Sequence, residues 1–336
     1  MKIILVNKFH YFKGGSETYY FGLAEGLKAL GHEVHYFAME GPDNVPCEDE
    51  DLFVSSKDYN GPTSFAQKIN AAASLVYSKE AKHKFQALCE RVQPDIVHMN
   101  LVHRQITLSI LDAPYLKTHH VPVLFTSHDY ILVCPSYVML DGAGNVCDAC
   151  LDGKFTNCFK RKCVKGSTAK SAMGALEAEY LKLRKTYRKI DRIIAPSEFM
   201  RQKLIEGGFP ARQVVYMQNF AKQEILNIAS RGSDRTDRDD PYLLFFGRLS
   251  KEKGIDVLVD AFIAAIPSLP ANVRLVIAGD GPERQRIEEK VASAGPCVSG
   301  RVELAGFQRG DALKAYVERA SLAIASSRCR ENMPYS

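Results

Sequence analysis

Apolar positions along the chain repeat with two alternating periods. Residues 3–6 (Ile-Ile-Leu-Val) form an unbroken apolar run, the mark of a strand buried on both faces. Gly14 and Gly15 follow, and Ser16 offers a helix cap. Tyr20, Leu23, Ala24, Leu27 and Leu30 then recur at helical spacing until Gly31 stops the helix. Val34 to Ala38 reads as the next strand. Strand, glycine loop, helix and strand make a βαβ unit, and such units build parallel sheets. Asp95 to Met99 and Val121 to Thr126 continue the series as strands. Ala172, Leu176, Tyr180, Leu183, Tyr187 and Ile190 predict one long amphipathic helix. Arg192 to Ala195 is a short strand, Ser197 caps another helix, and Val214 to Met217 closes the first half.

Residues 228–241 are polar, charged and without hydrophobic rhythm, the character of a linker. A second βα series follows, with strands at Tyr242 to Phe246, Val273 to Ala278, Val302 to Ala305 and Leu322 to Ala325. Helices are expected over 254–265, from Pro282, and near 311–319. The expected fold class is therefore α/β, with a first domain over 1–219, a linker over 220–241 and a second domain over 242–336. That second stretch is short for a doubly wound sheet, so the second domain is expected to be incomplete.

A length of 336 residues suits two domains, and 46% hydrophobic with 25% charged residues argues against disorder. No apolar run approaches the roughly 18 residues of a membrane span, and the N-terminus lacks a signal-peptide core, which places the protein in the cytoplasm. A net charge of +5 is too small to argue for nucleic acid, and none is expected as a partner. Charge is nevertheless uneven. Residues 154–192 hold twelve Lys or Arg against only Glu177, Glu179 and Asp191. The plain reading is a solvated face; the sharper one is peripheral docking to anionic lipid at the inner face of the membrane. Five of the nine cysteines, Cys134, Cys147, Cys150, Cys158 and Cys163, crowd into an insertion at about 134–165. In a reducing compartment such crowding suggests either free thiols or a structural zinc held by Cys147, Cys150, Cys158 and Cys163.

Three glycine loops sit at strand exits, where open α/β sheets bind ligands. The first is Lys13-Gly14-Gly15-Ser16-Glu17, which lets backbone approach an anion at a helix N-terminus or serves as a tight turn. The second is Gly247-Arg248-Leu249-Ser250-Lys251-Glu252-Lys253-Gly254, whose Arg248 and Lys253 can grip a diphosphate together. Gly279-Asp280-Gly281-Pro282 is the third, but Arg284 stands where a dinucleotide fingerprint needs its third glycine. His128-Asp129 follows another strand, where the imidazole can serve a sugar hydroxyl or the fold. Asp49-Glu50-Asp51 matches a D-x-D metal signature, yet its acidic surroundings read as solvated surface, and no catalytic metal is expected.

In this order, the Gly14–Gly15 loop, His128-Asp129, Arg248 to Gly254, Gly279 to Pro282 and the closing Glu331-Asn332-Met333-Pro-Tyr-Ser resemble the retaining family 4 glycosyltransferases of the GT-B fold. The resemblance implies two Rossmann-like domains with parallel sheets facing across a cleft. It implies transfer of a sugar, with retention, from a nucleotide diphosphate-sugar to an acceptor hydroxyl in polysaccharide or glycolipid assembly. A UDP- or GDP-sugar would be the cosubstrate, no cofactor would be required, and the acceptor would be a sugar or a lipid-linked sugar. His128 and Glu331 would serve the transferred sugar. Gly14, Gly15, Arg248, Lys253, Gly279, Gly281, Phe307, Asn332 and Met333 would bind the donor. A second glutamate, expected eight positions after Glu331, would fall beyond Ser336. An inactive nucleotide-sugar-binding module is the rival this raises. A nicotinamide oxidoreductase is the other rival, disfavoured by the incomplete fingerprints.

Overall fold

The computed structural model describes residues 1–56, 73–220 and 241–333. The chain separates into two compact units. The first comprises Met1–Asn219 together with Asn332 and Met333, and the second ends at Glu331. Most of the linker expected over 220–241 lies outside the described residues.

The first unit is a six-stranded sheet: β1 (Lys2–Val6), β2 (Glu33–Phe37), β3 (Ile96–Met99), β4 (Val123–Thr126), β5 (Arg192–Ala195) and β6 (Val214–Tyr216). Their order is β2-β1-β3-β4-β5-β6, and every pairing is parallel. The continuous apolar run of β1 has its cause in burial on two sides. Ile4 and Val6 join one core with Phe85 and Leu88 of α2 (Lys79–Val92). Ile3 and Leu5 join another with Tyr20 and Ala24 of α1 (Gly15–Ala29). Helices thus cover both faces, as parallel sheets require.

The second unit repeats the plan with β7 (Tyr242–Phe246), β8 (Arg274–Ala278), β9 (Val302–Gly306) and β10 (Leu322–Ala323) in the parallel order β10-β7-β8-β9. Leu275 and Ile277 pack with Phe262 of α4 (Ile255–Ala265), while Val276 and Ala278 point into a second cluster with Leu244. Among the described residues, no helix is long and apolar enough to cross a membrane.

Four local expectations are corrected. Gly14, not Ser16, is the N-cap of α1, and the Ser16 hydroxyl instead donates to Glu17 Oε1 at 3.0 Å. The helix expected to reach Ile190 is α3 (Thr168–Leu183), and Lys185 beyond it adopts a left-handed φ of 52°. A 3-10 turn, Thr186–Lys189, then delivers Tyr187 to His103 (3.1 Å) and Ile190 to the core, so the apolar rhythm outlasts the helix. Pro282 does not open a helix: α5 spans Arg284–Ser293, and Pro282 lies in the turn before it, where the Glu283 N–H is bound to Leu249 O at 3.0 Å. Asp49 is not solvated. It is 3% exposed and accepts from Tyr36 N (2.8 Å) and Arg91 Nη2 (3.1 Å), tying β2 to α2.

The two later glycine loops are laced together through backbone. Gly247 N donates to Ala278 O at 3.0 Å, and Leu249 N to Asp280 O at 2.9 Å. A Cβ on Gly279 would stand 1.9 Å from Gly247 O, so no side chain fits. Gly279→Ala should therefore destabilise the protein by about 1–3 kcal/mol, read as a lowered urea midpoint. Gly26→Ala, in open space within α1, should stabilise by about 0.5–1 kcal/mol; equal midpoints for the two variants would refute the packing argument.

Candidate functional site

In the first unit the chemistry gathers at the carboxyl ends of β1, β3 and β4. Asn7 leaves β1 and is fully buried. Its amide donates to Phe9 O (2.8 Å) and to Glu17 Oε1 (3.2 Å), while its oxygen accepts from Leu101 N (3.2 Å). Glu17 lies in the first turn of α1, so this clamp fixes the Gly14–Gly15 loop against the strand end. Burial pushes the Glu17 carboxyl above its ordinary range, against the hydrogen bonds from Asn7 and Ser16. Gly14 carries no side-chain cap, which leaves the exposed first N–H groups of α1 available to an anion.

His128 Nε2 lies 2.9 Å from Asn100 Oδ1. The Asn100 amide nitrogen is spent on Val6 O (3.4 Å), so its oxygen faces the ring and Nε2 must donate. In the neutral ring Nδ1 is then the acceptor. Tyr19 packs edge-on against this imidazole, with centroids 4.9 Å apart. Desolvation, reinforced by His98, lowers the His128 pKa to about 3. Asp129 next to it accepts from Ile131 N at 2.9 Å and is pushed up to about 6, chiefly by desolvation. Arg104, held in a left-handed conformation (φ 70°), donates Nε to the buried Glu177 at 3.0 Å and its Nη2 to Pro135 O. That contact pins the segment after Asp129 to α3.

Asn332 belongs to the same region: its amide donates to Ser127 O (2.8 Å), and its oxygen accepts from Ser197 Oγ (3.0 Å). Met333 O accepts from Asn219 at 2.8 Å.

In the second unit, Lys253 Nζ contacts Glu331 Oε1 at 2.7 Å, and Ser327 Oγ donates to the same oxygen. Burial works to raise the Glu331 pKa, but the hydrogen bonds from Lys253 and Ser327 outweigh it and leave the group below its ordinary value. The approach is enforced by backbone. Gly254 takes φ 63°, a Cβ there would stand 2.1 Å from Ser326 O, and Arg328 N donates to Glu252 O (2.9 Å). Arg248 is exposed and has no ion pair among the described residues. Gly281 lies against Leu249, and Phe307 is 64% exposed beyond β9. The structure thus joins Lys253 to Glu331, Asn332 to the His128 strand end, and Gly279 to Gly247.

The zinc expectation has no support. Among the described residues, no group of three or more His, Cys, Asp or Glu is placed to hold a metal ion. The five crowded cysteines do line one small apolar cavity with Val133 and Met139. Their sulfurs are turned to separate partners, however: Cys134 to Ser136 (3.1 Å), Cys147 to Arg161 (3.4 Å), and Cys158 to Cys163.

Asn7, Asn100 and Arg104 were not singled out by sequence. A polar residue directly after an apolar strand is the available signal for the two asparagines. Nothing local marks Arg104.

Residues 13–222 match the family model for Glycosyltransferase Family 4. The chain belongs to glycosyltransferase family 4. Residues 240–336 match the model for Glycosyl transferases group 1. An alpha-monoglucosyldiacylglycerol synthase from Acholeplasma laidlawii is 23% identical over 316 residues, spanning 93% of this chain and 71% of the relative. A lipopolysaccharide 1,2-N-acetylglucosaminetransferase from Salmonella typhimurium is 28% identical over 156 residues, 42% of this chain and 39% of the relative. Among solved structures, Anabaena HepE in complex with UDP and glucose superposes with a TM-score of 0.60 at 15% identity, covering 99% of this chain and 76% of that one. The family 4 chain therefore has the GT-B type of fold, built from two Rossmann-like units.

Four histidines of this family 4 chain, His10, His98, His103 and His128, have lowered pKa values between about 3 and about 4. Below pH 6.5 the unfolded chain binds protons that these rings refuse, so stability falls with pH by up to about 1.4 kcal/mol per unit per ring. Asp129 acts in the opposite direction between its ordinary value and about 6. Imidazole nitrogen spectra should show His128 neutral at pH 5, and His128→Gln should flatten the acid loss of stability. A ring titrating near 6.5 would reject the assignment.

Proposed function

We propose that this family 4 chain transfers a sugar, with retention, from a UDP- or GDP-sugar to an acceptor hydroxyl in polysaccharide or glycolipid assembly. The observation that carries the reading is the Lys253–Glu331 pair, brought together where Gly254 has no room for a side chain against Ser326 O. It is supported by the HepE complex named above, which holds UDP and glucose.

In this reading Arg248 and Lys253 neutralise the departing diphosphate, and preorganised cations of this kind lower the barrier without proton transfer. The uncapped Gly14–Gly15 end of α1 offers N–H groups to a donor phosphate. Gly279 and Gly281, packed on Gly247 and Leu249, shape the nucleotide site of the second unit beside Phe307, and Asn332 and Met333 are assigned to donor binding as well. Glu331, held ionised by Lys253 and Ser327, orients a donor sugar hydroxyl. His128, neutral and with Nδ1 free to accept, takes another. The 1–219 stretch holds the acceptor and the stretch from 242 the donor. The exposed basic stretch of 154–192, in which Lys160, Lys162, Lys165 and Lys170 have no ion pair among the described residues, docks to an anionic membrane surface that presents the acceptor.

Arg248→Ala and Lys253→Ala should each lower kcat/KM by roughly 10²–10³-fold, measured as UDP or GDP release from a panel of donors. Unchanged UDP affinity in the Arg248→Glu, Lys253→Glu double variant would sink the reading. In flotation, vesicles containing phosphatidylglycerol should carry the protein upward and pure phosphatidylcholine should not; equal, negligible recovery with both would end the membrane assignment.

A further inference from the structure

Lys8 and Lys13 are charged groups of the first unit that the transfer reading leaves unused. Lys8 lies two residues past β1, its N–H bound to Leu101 O at 2.7 Å. Lys13 stands just before Gly14. Both ammonium groups lie over the Phe9 ring, 5.0 and 3.7 Å from its centroid, and Lys13 is 5.9 Å from that of Tyr11. Neither lysine forms an ion pair with a carboxylate among the described residues. Asp129 and Glu17 reach Lys8 only at longer range, while burial, Lys13 and Arg104 all act against its positive charge. Like charges held together in a partly desolvated position cost free energy that a bound anion would relieve. Apolar surface adjoins them: Phe12 is 57% exposed and packs against Phe21 at 4.5 Å.

We propose that Lys8 and Lys13 form a subsite for a phosphate group carried by the acceptor, beside an apolar portion of the same molecule resting on Phe12. The proposal rests on the transferase reading and names a feature of its acceptor. The donor diphosphate is the other source of phosphate; that reading gives it Arg248, Lys253 and the Gly14–Gly15 N–H groups next to Lys13, so the UDP arm of the test separates the two sources. An ammonium pair suits phosphate as two point charges, and the exposed Phe12 ring suits a hydrocarbon better than a nucleoside's polar ribose.

The test is isothermal titration of the whole chain with citronellyl phosphate, citronellol and UDP in separate experiments. Wild type should bind the phosphate more tightly than the alcohol. Lys13→Gln should weaken phosphate binding by about 10-fold and the Lys8→Gln, Lys13→Gln pair by about 100-fold, with alcohol and UDP affinities unchanged. Lys13 is exposed, so its variant tests the subsite even where Lys8→Gln perturbs folding. Equal affinity of wild type for phosphate and alcohol overturns the subsite. Parallel loss of UDP and prenyl phosphate overturns it too, by assigning the lysines to the donor. Wild type that binds no UDP counts against the transferase reading, while the phosphate-to-alcohol comparison is read independently.

Discussion

Backbone packed on backbone is the constraint from which the second unit's chemistry follows. The Gly247 carbonyl occupies the space where a Gly279 side chain would be, and Leu249 O stands 2.4 Å from where a Gly281 Cβ would lie. Two loops joined this closely cannot shift independently, so the exits of β7 and β8 behave as one rigid platform. Gly254 extends the platform, because its own close contact is with Ser326 O. The chain after β10 is thereby brought back to the β7 loop, and Glu331 meets Lys253 without either side chain having to search for the other. Rotamer entropy that an exposed ion pair would lose on forming is largely absent here.

The first unit solves a different problem, that of holding polar groups where water is scarce. Asn7, Asn100 and Thr126 are all fully buried and all sit at strand ends. Each is satisfied twice or more, and each in turn directs a titratable neighbour: Glu17, His128 and His98 respectively. An amide is well suited to this task, since it supplies donors and an acceptor without changing charge. Glu17 and His128 consequently sit in fixed orientations with pKa values moved toward their neutral forms. Neutral, oriented groups cost less to hold where water is scarce than ionised ones would.

Much of this was legible in the chain because two-faced burial leaves an unmistakable trace. Ile3 to Val6 reads as a strand because the run is short and a glycine loop and a helical rhythm follow it. Ser197 was likewise legible as a cap, and its side chain accepts from Met200 N. Misreadings arose where tertiary contacts overrode local pattern. Tyr187 and Ile190 keep the helical rhythm of α3 but reach the core through a left-handed residue and a 3-10 turn. Asp49 sits in an acidic stretch and looks solvated, yet Arg91, 42 positions away, and the β2 backbone draw it inside. Gly279 reads as a ligand-facing glycine, whereas its smallness is demanded first by Gly247. Spacing shows where a chain turns; it does not show which carbonyl waits on the other side.

The cysteine insertion makes the same point in chemical terms. Sequence brings five sulfurs within about thirty positions, and the fold does bring them around one cavity. Proximity is nevertheless weaker than coordination. A tetrahedral site needs four sulfurs aimed at one point with their protons lost, whereas burial raises the thiols of Cys134 and Cys150 and opposes that loss. The Cys163 thiol is drawn below its ordinary value by the hydrogen bond from Cys158, and that bond is a preference within one pair. The insertion therefore acts through its packing: Phe155, Cys158 and Val164 form a small core of their own, and Ala178 of α3 packs against it. That packing supports the helix whose Glu177 holds Arg104, and through Arg104 the segment that follows Asp129.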